Sequence, residues 1–161
     1  MSMNPPIPGT VVLYGPFFAR TGFGLLARGW AMALHGAGVK VRIVPMDCND
    51  PNASGDLDDC DLYLLQSLKY TPLTPPVTAI FAYVPTYVWP KTPLPEPNRR
   101  IMLTTFDSSA NAATPPSRLI FICNQMDQVW VANPTEEQAW IRGGLNPKKI
   151  RSFKWPHEWI D

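Results

Sequence analysis

Residues 10–44 read TVVLYGPFFARTGFGLLARGWAMALHGAGVKVRIV, and this stretch decides the fold. Thr10 to Tyr14 is a short, β-branched apolar run ending at Gly15, the pattern of a strand buried on both faces. After a loop, Phe23, Leu26, Trp30, Ala33 and Leu34 recur at helical spacing while Arg28 points elsewhere. That spacing predicts a helix from about Phe23 to His35. Gly36 and Gly38 stop it, and His35 falls in the last turn, where the helix dipole favours a cation. Val39 to Val44 is the next strand. Together these form a βαβ unit, whose right-handed crossover builds parallel sheets.

The same alternation continues downstream. An acidic turn, Asp56 to Asp61, leads into a third apolar run, Leu62 to Leu65. Val77 to Val84 and Ile101 to Thr105 supply two more strands, and Arg118 to Met126 reads as helical or mixed. Gln128 to Ala132 is again a strand. A helix starts at Pro134, with Asn133 or Thr135 as its cap and Glu136 and Glu137 in its first turn. Gly143 and Gly144 end it. Strands recurring with helices between them predict a doubly wound α/β domain.

Composition bounds the function. The 161 residues are 45% apolar, the size of a single domain, and a chain this long buries about 68% of its unfolded surface without a staple. Only 17% are charged, and fourteen Lys and Arg against thirteen Asp and Glu give +1 with no block of one sign. Nucleic-acid binding, which needs clustered basic residues, is disfavoured. Apolar runs such as Leu119 to Cys123 fall far short of the about 20 residues of a membrane span. Met1 to Thr10 has neither the basic nor the apolar region of a signal peptide. Cys48, Cys60 and Cys123 are odd in number and lack CxxC spacing, so the expectation is reduced thiols in a cytoplasmic protein, with no disulfide and no metal site. Proline is abundant at 19, and eight of these lie between Pro72 and Pro97, which predicts extended loops there.

Two segments carry candidate chemistry. The loop from Gly15 to Gly24 (GPFFARTGFG) opens the first helix, where glycine lets backbone approach a ligand and helix amides favour an anion. Its spacing is neither GxGxxG nor GxxxxGK[ST], which disfavours a nicotinamide or P-loop site, and the alternative is a loop that merely turns the chain. Thr105-Phe106-Asp107-Ser108-Ser109 follows a buried strand, where a carboxylate and hydroxyls can hold a sugar or can simply cap a turn. Asp47, after the second strand, reads as a turn residue. His35 and His157 are too few for a triad or a metal site. Trp155 and Trp159, near the C-terminus, call for something to pack against.

Several segments together resemble the N-terminal half of the retaining glycosyltransferases of the GT-B fold, family 4. Gly22-Phe23-Gly24 with Arg28-Gly29-Trp30-Ala31-Met32-Ala33-Leu34 resembles their first βα unit. Asp127-Gln128-Val129-Trp130-Val131-Ala132-Asn133 is similar to their DxVWVxS strand. Trp140 to Leu145 with Lys148-Lys149-Ile150 resembles their F…GV…KI segment, and Trp155-Pro156 to Ile160-Asp161 the start of their interdomain linker, over residues 155–161. Arg100 to Ser108 resembles the segment where the family carries His or Glu; Asp107 stands there instead. The family's donor domain has no counterpart in these residues.

The resemblance implies a single Rossmann-like, doubly wound domain with a mainly parallel sheet over residues 1–161, half of a GT-B fold. It implies transfer of a sugar from a nucleoside-diphosphate sugar to an acceptor hydroxyl of a carbohydrate or lipid-linked acceptor, with retention and with neither cofactor nor metal. Asp107 takes the catalytic position, and Gly22, Phe23, Gly24, Arg20 and Ser108 the donor and acceptor contacts. The partner implied is the donor domain, a second chain, or a second copy in a dimer. The alternative is a non-catalytic α/β binding domain using the same crevice.

Overall fold

The computed structural model describes residues 8–46, 57–82, 94, 96–105 and 114–153. In chain order the first elements are β1 (Thr10–Gly15), α1 (Gly22–Gly36), β2 (Val41–Pro45), α2 (Asp59–Leu68) and β3 (Val77–Ala82). Then come β4 (Arg99–Leu103), α3 (Ser117–Asn124), β5 (Gln128–Val131), α4 (Pro134–Arg142) and β6 (Ile150–Ser152). The strands form one parallel sheet in the order β2-β1-β3-β4-β5-β6, which is the predicted Rossmann-like α/β fold. The chain divides into two compact units, Met1–Ile80 with Pro95–Arg99, and Phe81–Leu94 with Arg100–Asp161.

In the first unit the winding reverses at β1. The crossover through α1 runs outward from β1 to β2, and the one through α2 returns past β1 to β3. Right-handed crossovers in opposite directions place their helices on opposite faces of the sheet, so the fold is doubly wound. β1 is buried along its whole length, as its unbroken apolar run requires. Thr10 anchors its start: its amide donates to the Pro76 carbonyl at 3.1 Å, and its hydroxyl accepts the Thr74 amide at 2.8 Å. The part of the proline-rich stretch that precedes β3 is thus an irregular segment tied to β1.

The predicted buried face of α1 is incorrect. Phe23, Leu26, Trp30, Ala33 and Leu34 are all half-buried, and the fully buried positions are Gly24, Ala27, Arg28 and Ala31. Three of those four are glycine or alanine, at the spacing that makes one stripe. A stripe of small side chains lets α1 lie close on β1 and β2, and it leaves room on the same face for the Arg28 side chain. At the other end Ala37 and Gly38 donate back to the Ala33 and His35 carbonyls, and Gly38, at φ +83°, turns the chain into β2.

The acidic turn and the third apolar run also change character, because Asp59 to Asp61 and all of Leu62 to Leu65 belong to α2. Asp58 is its N-cap and accepts the Asp61 amide at 2.8 Å, while Asp59 and Asp61 lie in its first turn. Carboxylates there complement the helix dipole, so the charges begin a helix rather than a loop. Leu65 and Leu68 are its buried residues.

In the second unit, β4 and β5 pair in register from Ile101 with Gln128 to Leu103 with Trp130. Asp127 holds their N-terminal ends together, its carboxylate accepting the Arg100 amide at 2.7 Å. The crossovers through α3 and α4 run in one direction, so both helices lie on one face. Asn124 at the end of α3 joins them: its side chain donates to the Gly144 carbonyl and accepts the Asn146 amide. The core here comprises Met102, Leu103, Ile122, Val129, Trp140 and Ile150, each with at most 2% of its surface exposed. The sequence reading made no strand of β6, whose three residues contain a single buried one, Ile150.

Candidate functional site

The glycine loop lies in the first unit, at the C-terminal end of β1. In open parallel sheets this is the end at which ligands bind, beside the strand where the winding reverses. Thr21 caps α1, its hydroxyl accepting the Gly24 amide at 3.1 Å, and Leu25 donates to the Thr21 carbonyl. Phe17 and Phe18 are fully buried, so the loop has a core of its own. Arg28 fixes its course. One guanidinium nitrogen, Nη1, donates to the Phe17 carbonyl at 2.8 Å and to the Ala19 carbonyl at 3.1 Å, and Arg28 is 4% exposed. The sequence reading missed this residue because a positive charge argued for the solvent face.

The two glycines of the predicted site have different roles. A side-chain carbon on Gly24 would lie 2.1 Å from the Ala19 carbonyl oxygen, a backbone atom. Packing of the loop backbone on Gly24 is by itself enough to require glycine there. Gly22 is exposed, and an added carbon there meets nothing within 4 Å. It is the open face of the helix N-terminus. Phe23 is half-buried beside it, and Arg20 is exposed on the loop.

The second unit has a polar group at the same end of its own strands. Thr105, just past β4, donates its hydroxyl proton to Glu136 Oε1, while Glu136 Oε2 accepts the Ala132 amide at 3.4 Å. Glu136 is 5% exposed. Asn133, and not Thr135, is the N-cap of α4, accepting the Glu136 amide at 2.9 Å. Asp107 and Ser108 lie outside the described residues, as do Asp47, Cys48, His157, Trp155, Trp159 and the expected linker. His35 is exposed in the last turn of α1, where it was expected.

Two thiols are described. Cys60 is exposed on α2, and burial pushes the Cys123 thiol up to about 12, so it stays protonated and unreactive near neutral pH. Among the described residues no group of three or more His, Cys, Asp and Glu is placed to hold a metal ion. No described helix is long and apolar enough to cross a membrane. The class defined so far is a doubly wound α/β protein whose first strand feeds a packed, arginine-braced glycine loop. No protein-family profile, curated protein or solved structure matches the chain.

Proposed function

We propose that this chain is the N-terminal, acceptor-side domain of a retaining glycosyltransferase of the GT-B fold, family 4. The reaction moves a sugar from a nucleoside-diphosphate sugar to an acceptor hydroxyl, in the cytoplasm and without a cofactor. The observation that carries the reading is the loop after β1, which presents an open glycine at the N-terminus of α1. A helix N-terminus stabilises anions through its amides and dipole, and a diphosphate leaving group is such an anion. In this reading Gly22 and Phe23 face the diphosphate and Arg20 offsets its charge. Asp107 and Ser108, after β4, hold the transferred sugar or orient the acceptor.

A GT-B active site needs groups from two domains, and bringing reactants together can supply about 7–11 kcal/mol of barrier lowering. The purified chain is therefore expected to give no turnover with any of a panel of nucleotide sugars. Turnover should appear when a donor domain encoded beside it is added. Transfer by the chain alone overturns the half-enzyme reading, and binding without turnover in either mixture assigns the loop to a non-catalytic binding domain. Gly22→Val tests the loop itself. It should weaken inorganic diphosphate binding about tenfold, or about 1.4 kcal/mol, with an unchanged melting temperature. Equal affinity for diphosphate in the folded variant removes Gly22 from the site.

A further inference from the structure

Glu136 enters the sequence reading only as an acid in the first turn of α4. Its position there is the third helical residue after the Asn133 cap, where a glutamate ordinarily reaches back to the amide of the cap itself. Here the carboxylate goes elsewhere. One oxygen takes the Thr105 hydroxyl proton, and the other the amide of Ala132, the residue before the cap. A buried carboxylate is costly to desolvate, and here both of its oxygens accept, one from the Thr105 hydroxyl and one from the Ala132 amide, which a side-chain amide with a single acceptor oxygen would not match. The charge has a further chemical consequence. With its only proton committed to an anion, Thr105 Oγ1 offers lone pairs alone, and the negative partner makes it a stronger acceptor.

Thr105 is half-buried and sits two residues past the end of β4, at the end of the parallel strands where ligands bind. We propose that Thr105 and Glu136 form a hydroxyl-recognising subsite. Glu136 fixes the Thr105 hydroxyl as an acceptor, and Thr105 accepts a hydrogen bond from a hydroxyl of a sugar-class ligand. The assignment rests on the functional reading above in naming a sugar. It concerns the second unit alone, and it adds Glu136, to which the family resemblance does not point, as the group that sets the direction of the Thr105 hydroxyl.

The test uses the ¹⁵N-labelled chain titrated with free glucose, galactose, mannose and N-acetylglucosamine, so that no nucleotide contact is needed. At least one of these sugars should give saturable shifts of the Thr105, Ala132 and Glu136 amides. Thr105→Val, which keeps the shape and removes the hydroxyl, should weaken that response at least tenfold. Thr105→Ser should restore it, which assigns the loss to the hydroxyl. No saturable shift with any sugar, or an undiminished response in folded Thr105→Val, overturns the subsite. If Thr105→Val does not fold, Thr105→Ser against Thr105→Ala decides the same question. A parallel titration with inorganic diphosphate, read at the Gly22 amide, tests the functional reading separately. Loss of that response with the sugar response intact discards the diphosphate site and keeps the subsite.

Discussion

Gly24→Ala is expected to destabilise the chain by about 3 kcal/mol, lowering the melting temperature by about 6–12 °C for a chain of this size. The sign is the informative part. In a helix, alanine is intrinsically favoured over glycine by about 1 kcal/mol, so helix propensity alone predicts a gain. Against it stands a carbon placed 2.1 Å from the Ala19 carbonyl oxygen and 3.1 Å from that of Pro16. Neither atom belongs to a flexible side chain that can swing away. The Ala19 carbonyl is held by Arg28, and the Ala19 amide donates to Pro16 at 3.0 Å. Relief of the clash therefore opens the turn and the brace together. Gly22→Ala, two residues earlier and in open space, is the internal control and should be neutral or stabilising by up to about 1 kcal/mol. Urea unfolding of the two variants decides the matter: equal stabilities mean that the loop yields easily and that Gly24 has no packing role.

The backbone plan was legible in the sequence, because strands such as Thr10–Gly15 and Val77–Ala82 are apolar runs with β-branched residues and glycine or proline at their borders. Helix faces were less so. The periodicity of α1 was read from its large residues, yet the sheet takes the small ones, since close packing selects for what is absent from a side chain. Arg28 escaped for the related reason that charge argues for solvent until its acceptors are known, and those acceptors are loop carbonyls that no pattern displays. Thr105 and Glu136 are 31 residues apart, joined only when β4 and α4 are brought together, so neither carries a local signal of the other. What the sequence did show of that region was the cap: Asn133 followed by Pro134 and two glutamates is a helix start by chemistry alone. The diversion of Glu136 from its cap toward Thr105 is tertiary information.

Arg28→Met should cost as much as the glycine change or more, and by a different route. Methionine keeps most of the apolar stem, so the core of α1 stays filled. What is lost is the donor between two carbonyls, one of them fully buried, at about 1–3 kcal/mol for each acceptor left unsatisfied. The loss is local in origin, so hydrogen exchange should first speed up at the amides of the loop, Phe17 to Gly24, and only then across β1. Arg28→Lys separates charge from geometry. Lysine keeps the positive charge and has protons for both carbonyls, but its shorter, flexible stem does not hold a nitrogen where the rigid guanidinium holds Nη1, between the Phe17 and Ala19 carbonyls. It should recover part of the stability and leave the loop looser than in the parent chain. If the glycine loop binds diphosphate by being held in shape, the lysine variant should lose affinity for diphosphate while remaining folded, because a loose loop must be ordered on binding. A methionine variant as stable as the parent chain, with loop exchange unchanged, would show that the carbonyls find other donors. In that case the shape of the loop is set by its own buried phenylalanines, Phe17 and Phe18, and not by the arginine.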